Sequence, residues 1–507
     1  MTTLYLKLAT AAVFTIILCF MAWSVCHLVF HPLAKYPGPK LAALTDYWYA
    51  FTWASGRYPY VLQGLHEEYG DVVRIGPNKL SFATTQAHHD IYEQHKLLFR
   101  KSDWYSGGIA RSILFERDPV VHAELKNALK PNFGPQYLKH SAEDFILELM
   151  KKIPRLLLLD SRPSGINGEG DGGSAGMTRS VDVSRLFTMF SFDVIGMITL
   201  GKSFDGLATD TLHPLAELMH SGAYAATLKP MRERLWLFDK AIRLRSRGSD
   251  PDKLRAQHLG ILIAEVKQRM ALGTTSEDDV VARVTRQNSL DLHTLVANIV
   301  ILAIAGSETL ATCLSATMYL LLKNRHCLAK LKEEVRSAFA TDAHITGETT
   351  TSTNLPYLRA VIDETLRVLP PSPVGLSRIC PGAVVDGRWI PKGVDVSVDV
   401  WSLQHSARYW KDPMSFRPER WYKSNPDEEF ADERVVKEAF RPFSAGPRVC
   451  TGQALAYLEM RIVLAKLVWL YDWELDPQSE GWLEKLTLEF FWRKPELLIR
   501  FVPRHAT

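Results

Sequence analysis

Residues Leu295–Leu322 read LVANIVILAIAGSETLATCLSATMYLLL, with Glu308 the only charged side chain. An apolar run of this length belongs either in a bilayer or through the middle of a large globule. Hydropathy alone predicts a membrane span. The sequence GSET halfway along argues otherwise, since an acid at the bilayer centre costs ~2.5–3.5 kcal/mol. Inside a protein, a buried acid beside a hydroxyl is a functional-site candidate. The run is therefore expected to be a core helix, and a 507-residue chain that is 47% apolar has the material to enclose it.

A second apolar run, Leu8–Val29, carries no formal charge. About 20 such residues cross a bilayer core. A cleaved signal peptide has a shorter apolar region, ~7–15 residues, before a small-residue site. This run is longer and ends in bulky residues, so residues 1–30 are expected to be an uncleaved anchor. Lys7 precedes it alone, while Lys35, Lys40 and Arg57 follow it. The positive-inside bias puts the N-terminus in the lumen and the body in the cytosol. Pro32, Pro37 and Pro39 make residues 31–40 a stiff linker, leaving residues 41–507 as the main domain. The six cysteines are scattered, with no CxxC pair and no zinc spacing, which fits a reducing compartment. With 60 basic and 56 acidic residues the charge balance gives no sign of a nucleic-acid partner.

Between the runs the pattern is mainly helical with short strands. Asp71–Ala83 reads as two strands around a Gly-Pro-Asn turn, and Ala383–Val398 as a hairpin followed by a strand. Residues 161–180 hold six glycines and read as a surface loop. Within it GEGDGG (Gly168–Gly173) matches GxGxxG, with Asp193 beyond it. A dinucleotide site needs a strand running straight into the loop and a helix opening on its last glycine. Neither is expected here, and Glu169 and Asp171 would repel a pyrophosphate.

Four patterns follow in order: AGSET (Ala305–Thr309), ETLR (Glu364–Arg367), PERW (Pro418–Trp421) and FSAGPRVCTG (Phe443–Gly452). Singly, each has a plain reading: a packing notch, a surface i,i+3 ion pair, a turn, a loop with a structural thiol. Together they resemble the cytochrome P-450 superfamily of haem-thiolate monooxygenases, from about Tyr36 to the C-terminus. The resemblance implies a mainly α fold with small β-sheets, here preceded by one N-terminal transmembrane helix, and haem b as cofactor. Cys450 would be the axial iron ligand. The free thiol has a pKa of ~8.5 and needs help to ionise. A helix beginning at GQALAYLEM would supply it through N–H groups and dipole.

The other roles also come from the resemblance. Phe443 shields the thiolate, and Gly446 and Gly452 let backbone approach the porphyrin. Arg448 pairs a haem propionate, and Arg378 stands where the family often has another such arginine. His122 and Lys126, in HAELK, align with the family's Trp-x-x-x-Arg and depart from it at both positions; a lysine pairs a propionate only as a point charge. Glu364, Arg367 and Arg420 match a buried structural network that holds the cysteine loop. Thr309 and Glu308 match the acid–alcohol pair that moves protons toward dioxygen.

Trp104–Ile109, Val374–Leu376 and Leu488–Trp492 match pocket-lining positions and are largely apolar, as for a hydrophobic ligand. The cysteine region, VDGRWIPKGVDVSV (Val385–Val398) and YPGPKLAALT (Tyr36–Thr45) resemble fungal microsomal members that hydroxylate terpenoids or aromatic polyketides in secondary metabolism, such as isotrichodermin and averantin hydroxylases; the two substrate classes stay open. No credible NADPH or flavin site occurs in the chain, so electrons are expected from NADPH through NADPH–cytochrome P-450 reductase, with cytochrome b5 as a further donor. The location implied is the endoplasmic reticulum membrane. Two other readings keep the haem: an isomerase or dehydratase acting on a peroxide without a reductase, and a non-catalytic sensor. The intact AGSET sequence argues against both.

Overall fold

The computed structural model describes residues 2–94, 99–107, 111–158, 180–245, 251–273, 279–287, 289–421 and 438–504. The glycine-rich stretch with its GxGxxG match falls outside the described residues, as does Ile109. The helices used below are labelled in chain order: α1 (Thr2–Val25), α2 (Pro119–Leu129), α3 (Val183–Leu200), α4 (Leu292–Lys323), α5 (Pro356–Val368) and α6 (Gln453–Leu470).

Helix α4 is the axis of the molecule. Asp291 caps its first turn, accepting from Thr294 N–H at 3.0 Å. Its most apolar window is 83% buried, so the long run is a core helix, as expected. α3 packs along it, and α5 and α6 close the other sides. Gly306 lies at the α3 crossing, where a Cβ would come within 2.8 Å of Ile195. Helical packing of this kind fills the larger of two apolar cores.

The strands are short. A five-stranded sheet has the order β1 (Val72–Gly76), β2 (Lys79–Phe82), β8 (Asp395–Val398), β5 (Arg378–Ile379) and β3 (Arg100–Lys101). β6 (Ala383–Val385) and β7 (Arg388–Ile390) form the expected hairpin ahead of β8. β4 (Val181–Asp182), β12 (Leu498–Pro503) and β9 (Tyr471–Leu475) form a third sheet, and β10 (Thr487–Leu488) pairs with β11 (Trp492–Arg493). The five-stranded sheet carries the second core, with Phe82, Val396, Val398 and Trp410.

Leu4–Phe30 is long and apolar enough to cross a membrane, and none of its most apolar window is buried. The proline-rich segment behind it docks on the sheet: Arg74 N–H donates to Pro37 O at 2.7 Å. Gly38 has φ +152°, and a Cβ there would lie 2.3 Å from Arg74 O, so this close approach requires glycine.

Candidate active site

The cysteine loop is shaped by its backbone. Ser444 and Gly446 have φ of 59° and 71°. A Cβ on Gly446 would lie 2.0 Å from Tyr92 O, so only glycine lets the loop close on that segment. Gly446–Arg448 make one 3-10 turn, and Cys450 N–H returns to Phe443 O at 3.0 Å. Helix α6 then opens at Gln453 with Gly452 as its cap residue. Cys450 therefore sits in front of a helix N-terminus, exposed to a cavity. Burial pushes its thiol up, while the Gly452 N–H and the Lys126 ammonium pull the other way. Phe443 packs 5.3 Å from the Tyr457 ring and lines the same cavity. A Cβ on Gly452, another wall residue, would meet nothing within 4 Å.

Behind the loop stands a buried ion network. Arg367 grips Glu364 with both prongs, Nε to Oε2 at 2.9 Å and Nη2 to Oε1 at 2.8 Å, and neither side chain is exposed. Arg420 Nε reaches Glu364 Oε1 at 3.1 Å, the Arg417 N–H the same oxygen at 2.9 Å, and Trp421 Nε1 donates to Oε2 at 2.9 Å. Arg367 Nη1 also donates to Gln404 O. The Gln404 amide donates to Leu366 O and Arg367 O, both at 3.0 Å, and its Oε1 accepts from Arg441 N–H at 3.3 Å. Gln404 thus links the network to the start of the cysteine loop. No sequence pattern marked it.

Two adjoining cavities, of about 240 and 280 Å³, share Tyr105, Ala305, Thr309, Phe443, Arg448 and Cys450 in their walls. Helix α4 supplies one wall: Ala305 is exposed and Gly306 and Thr309 are half-buried on an otherwise buried helix. Thr309 Oγ1 donates to Ala305 O at 2.5 Å. Glu308 is in neither wall; its Oε2 accepts from Lys494 Nζ at 2.8 Å. The larger cavity is apolar and aromatic, lined by Trp53, Trp104, Val374, Phe490 and Phe491. Leu488 and Trp492 do not line it.

One edge of the smaller cavity is cationic. The antiparallel register of β3 on β5 sets Lys101 opposite Arg378, a like-charge pair that a sheet disfavours on its own. Arg448 joins them. The hydrogen bonds of Lys101 and Arg448 run to the backbone carbonyls of Ile113, Leu114, Glu116 and Arg117. Among the described residues no salt bridge joins these three cations to a carboxylate. Burial and the other two cations hold the Lys101 ammonium well below its usual range, and burial and Arg378 bring Arg448 down to about 10. Burial, Arg448 and Lys101 hold the His122 imidazole at about 3, so it lines the cavity uncharged. Lys126 does not line it; its Nζ donates to Pro447 O at 2.8 Å. Glu459, the one acidic residue in either wall among the described residues, is pushed well up by burial, toward the neutral acid.

A wall with an exposed cysteine, an apolar chamber and an edge of unneutralised cations define a site for a large apolar group with anionic substituents. The cytochrome P450 family profile matches residues 38–501, and the chain belongs to that family. The chain is 35% identical over 499 residues to the cytochrome P-450 monooxygenase BOA3 of Botryotinia fuckeliana, covering 95% of this chain and 94% of the relative. It is 35% identical to btcC of Neocamarosporium betae (95% of each chain) and 34% identical to ORF9 of Penicillium roqueforti (95% and 91%), both also named cytochrome P-450 monooxygenases. The protein is thus a monooxygenase of a haem-containing family. The residues fit that group: a thiol to face iron, small residues in the walls, and cations where carboxylates would lie.

Proposed function

We propose that the chain is a membrane-anchored haem-thiolate monooxygenase that inserts one oxygen atom of dioxygen into a hydrophobic metabolite, a terpenoid or an aromatic polyketide of fungal secondary metabolism. The observation that carries this reading is the exposure of Cys450 to a cavity that Thr309 also lines and that Lys101, Arg378 and Arg448 edge. When bound through a cysteine thiolate, haem supplies dioxygen activation, the thiolate favouring O–O cleavage.

The chain's own residues divide the remaining work. Cys450 would be the ligand, with the helix N-terminus and the Gly452 N–H favouring its ionised form against burial. Arg378, Arg448 and Lys101 pair the haem carboxylates, with His122 as a neutral neighbour. Lys126 braces the cysteine loop at Pro447 and lowers the cost of a negative sulfur. Glu364, Arg367 and Arg420 hold the loop from behind. Thr309, whose side chain lines the cavity, would hold and pass protons there, and Glu308 would feed that supply. Trp104, Phe490 and Phe491 enclose an apolar substrate. Electrons come from NADPH through NADPH–cytochrome P-450 reductase, with cytochrome b5 as a second donor. Residues 1–30 anchor the chain in the endoplasmic reticulum membrane, N-terminus in the lumen, with residues 31–40 as linker and residues 41–507 in the cytosol.

The test is spectroscopic. Cys450→Ala is expected to abolish the thiolate-type spectrum of the reduced carbon monoxide complex, and a variant that keeps that spectrum refutes the assignment. Product formation with reductase and NADPH distinguishes this reading from a peroxide isomerase, which needs neither.

A further inference from the structure

Lys101 and Arg378 stand opposite each other where β3 pairs with β5, a pairing of only two residues on each side. Like charges placed directly opposite destabilise such a pair. So short a ladder, Arg100 with Ile379 and Lys101 with Arg378, offers little to offset the repulsion. The next register holds Ser102 and Ser377, whose hydroxyls lie 2.5 Å apart. Ser377 Oγ donates to Asp395 Oδ1, and Asp395 Oδ2 accepts from Lys79 Nζ at 2.8 Å. A carboxylate only accepts, so Ser377 spends its one O–H on Asp395, and Ser102 must donate to Ser377. Ser102 Oγ accepts in turn from the Trp104 N–H at 3.2 Å. The bonds thus run one way, from Trp104 through Ser102 and Ser377 to Asp395, and members of such a chain strengthen one another. Asp395 stands on β8, paired with Lys79 of β2 on one side and Ile379 of β5 on the other. The tie also fixes a carbonyl: Ser377 O accepts from Ser102 N–H at 3.4 Å and from Arg378 Nη1 at 3.0 Å.

We propose that Ser102, Ser377 and Asp395 are positioning residues for haem: their tie closes the ends of β3 and β5 against the repulsion between Lys101 and Arg378, so that both cations meet the haem carboxylates together. This rests on the reading of Lys101 and Arg378 as partners of those carboxylates. Neither serine lines a cavity. Strand alternation turns both away from the face that the two cations present, so they act through their neighbours. The Tyr105 ring lies beside both cations, 4.7 Å from Lys101 Nζ and 5.9 Å from Arg378 Cζ, and eases their charge without joining the strands. Alanines at 102 and 377 would leave the backbone pairing in place and the repulsion uncountered. The strand ends could then part, and one cation would leave its carboxylate.

The experiment uses full-length, haem-loaded protein. It reads the transfer of haem to excess apomyoglobin and the haem-carboxylate bending band of the resonance Raman spectrum. S377A is expected to transfer haem roughly 10-fold faster than wild type, the effect of about one lost hydrogen bond, and to shift the band. S102A cuts the same tie but leaves Ser377 bonded to Asp395. It should change both readouts in the same direction, and it carries the comparison where S377A yields no haem protein. S377T keeps the hydroxyl and should match wild type. K101M removes one carboxylate partner and so transfers haem faster itself, but it also removes the repulsion. The double variant K101M/S377A is therefore expected to be no faster than K101M. A wild-type rate and an unmoved band in S377A or S102A overturn the proposal. Equal acceleration by S377A in the wild-type and K101M backgrounds also overturns it, because the tie would then be a general sheet contact. An S377T protein as fast as S377A does the same, since the hydroxyl would not be the cause. A wild-type rate and an unmoved band in both K101M and R378M overturn the reading of these cations as carboxylate partners, and this inference with it.

Discussion

Thr309 is the one hydroxyl of AGSET that the fold turns toward the cavity, since Ser307 donates to Ala303 O and is buried. In Thr309→Ala, electrons should still arrive and dioxygen should still bind, but more of it should leave as hydrogen peroxide. NADPH consumption is expected to fall less than product formation, whose catalysed step loses ~10²-fold or more. Supplying hydrogen peroxide directly should restore part of the activity. Unchanged coupling of NADPH to product would mean that another group or an ordered water carries the protons. Cys450, Arg448 and Thr309 stood out in short stretches whose residue types are specific together, and all three line the cavity. Lys101 was not legible. A lone lysine in FRKSDWY carries no pattern, and only the pairing of β3 with β5 sets it opposite Arg378. Lys126 shows the converse: the resemblance of HAELK to the family's Trp-x-x-x-Arg put both residues at the candidate site, yet only His122 lines the cavity.

At the scale of elements, α5 and the cysteine loop are joined by side chains far apart in sequence. Taken alone, ETLR reads as a surface i,i+3 pair; the resemblance implies a buried network, and Glu364 and Arg367 are both fully buried. Removing one partner of a buried pair costs ~3–5 kcal/mol, so Glu364→Ala is expected to lose folded, haem-loaded protein rather than activity per haem. Gln404 gives a finer test. Gln404→Ala would strand Leu366 O, Arg367 O and the Arg441 N–H, at ~1–3 kcal/mol for each buried group left unpaired. The expected result is a lower melting temperature and faster transfer of haem to a competing haem-binding protein. An unchanged haem-transfer rate would show that the link does not steady the loop.

At the scale of the whole molecule, two long apolar runs of similar composition go to opposite places. The most apolar window of α4 is 83% buried, while that of Leu4–Phe30 has no part buried. Deleting residues 2–30 is therefore expected to free the protein from microsomes with haem retained, measured by alkaline extraction and the carbon monoxide spectrum. Retention in the membrane pellet would mean that another surface of the body holds it there. The deletion also removes His27, whose carbonyl accepts from Arg74 Nη1 at 3.0 Å. The sequence alone determined the class of fold, through four short motifs taken together, and the short strands and the buried course of α4, through local pattern. Tertiary structure decided which groups meet, Lys494 with Glu308 and the Gln404 side chain with the Arg441 N–H, and it set Lys101 across the sheet from Arg378. The physical reason is that a charge or amide is stabilised by whatever lies within hydrogen-bond reach. In this fold the groups within reach come from strands, hairpins and helices that are not neighbours in the chain.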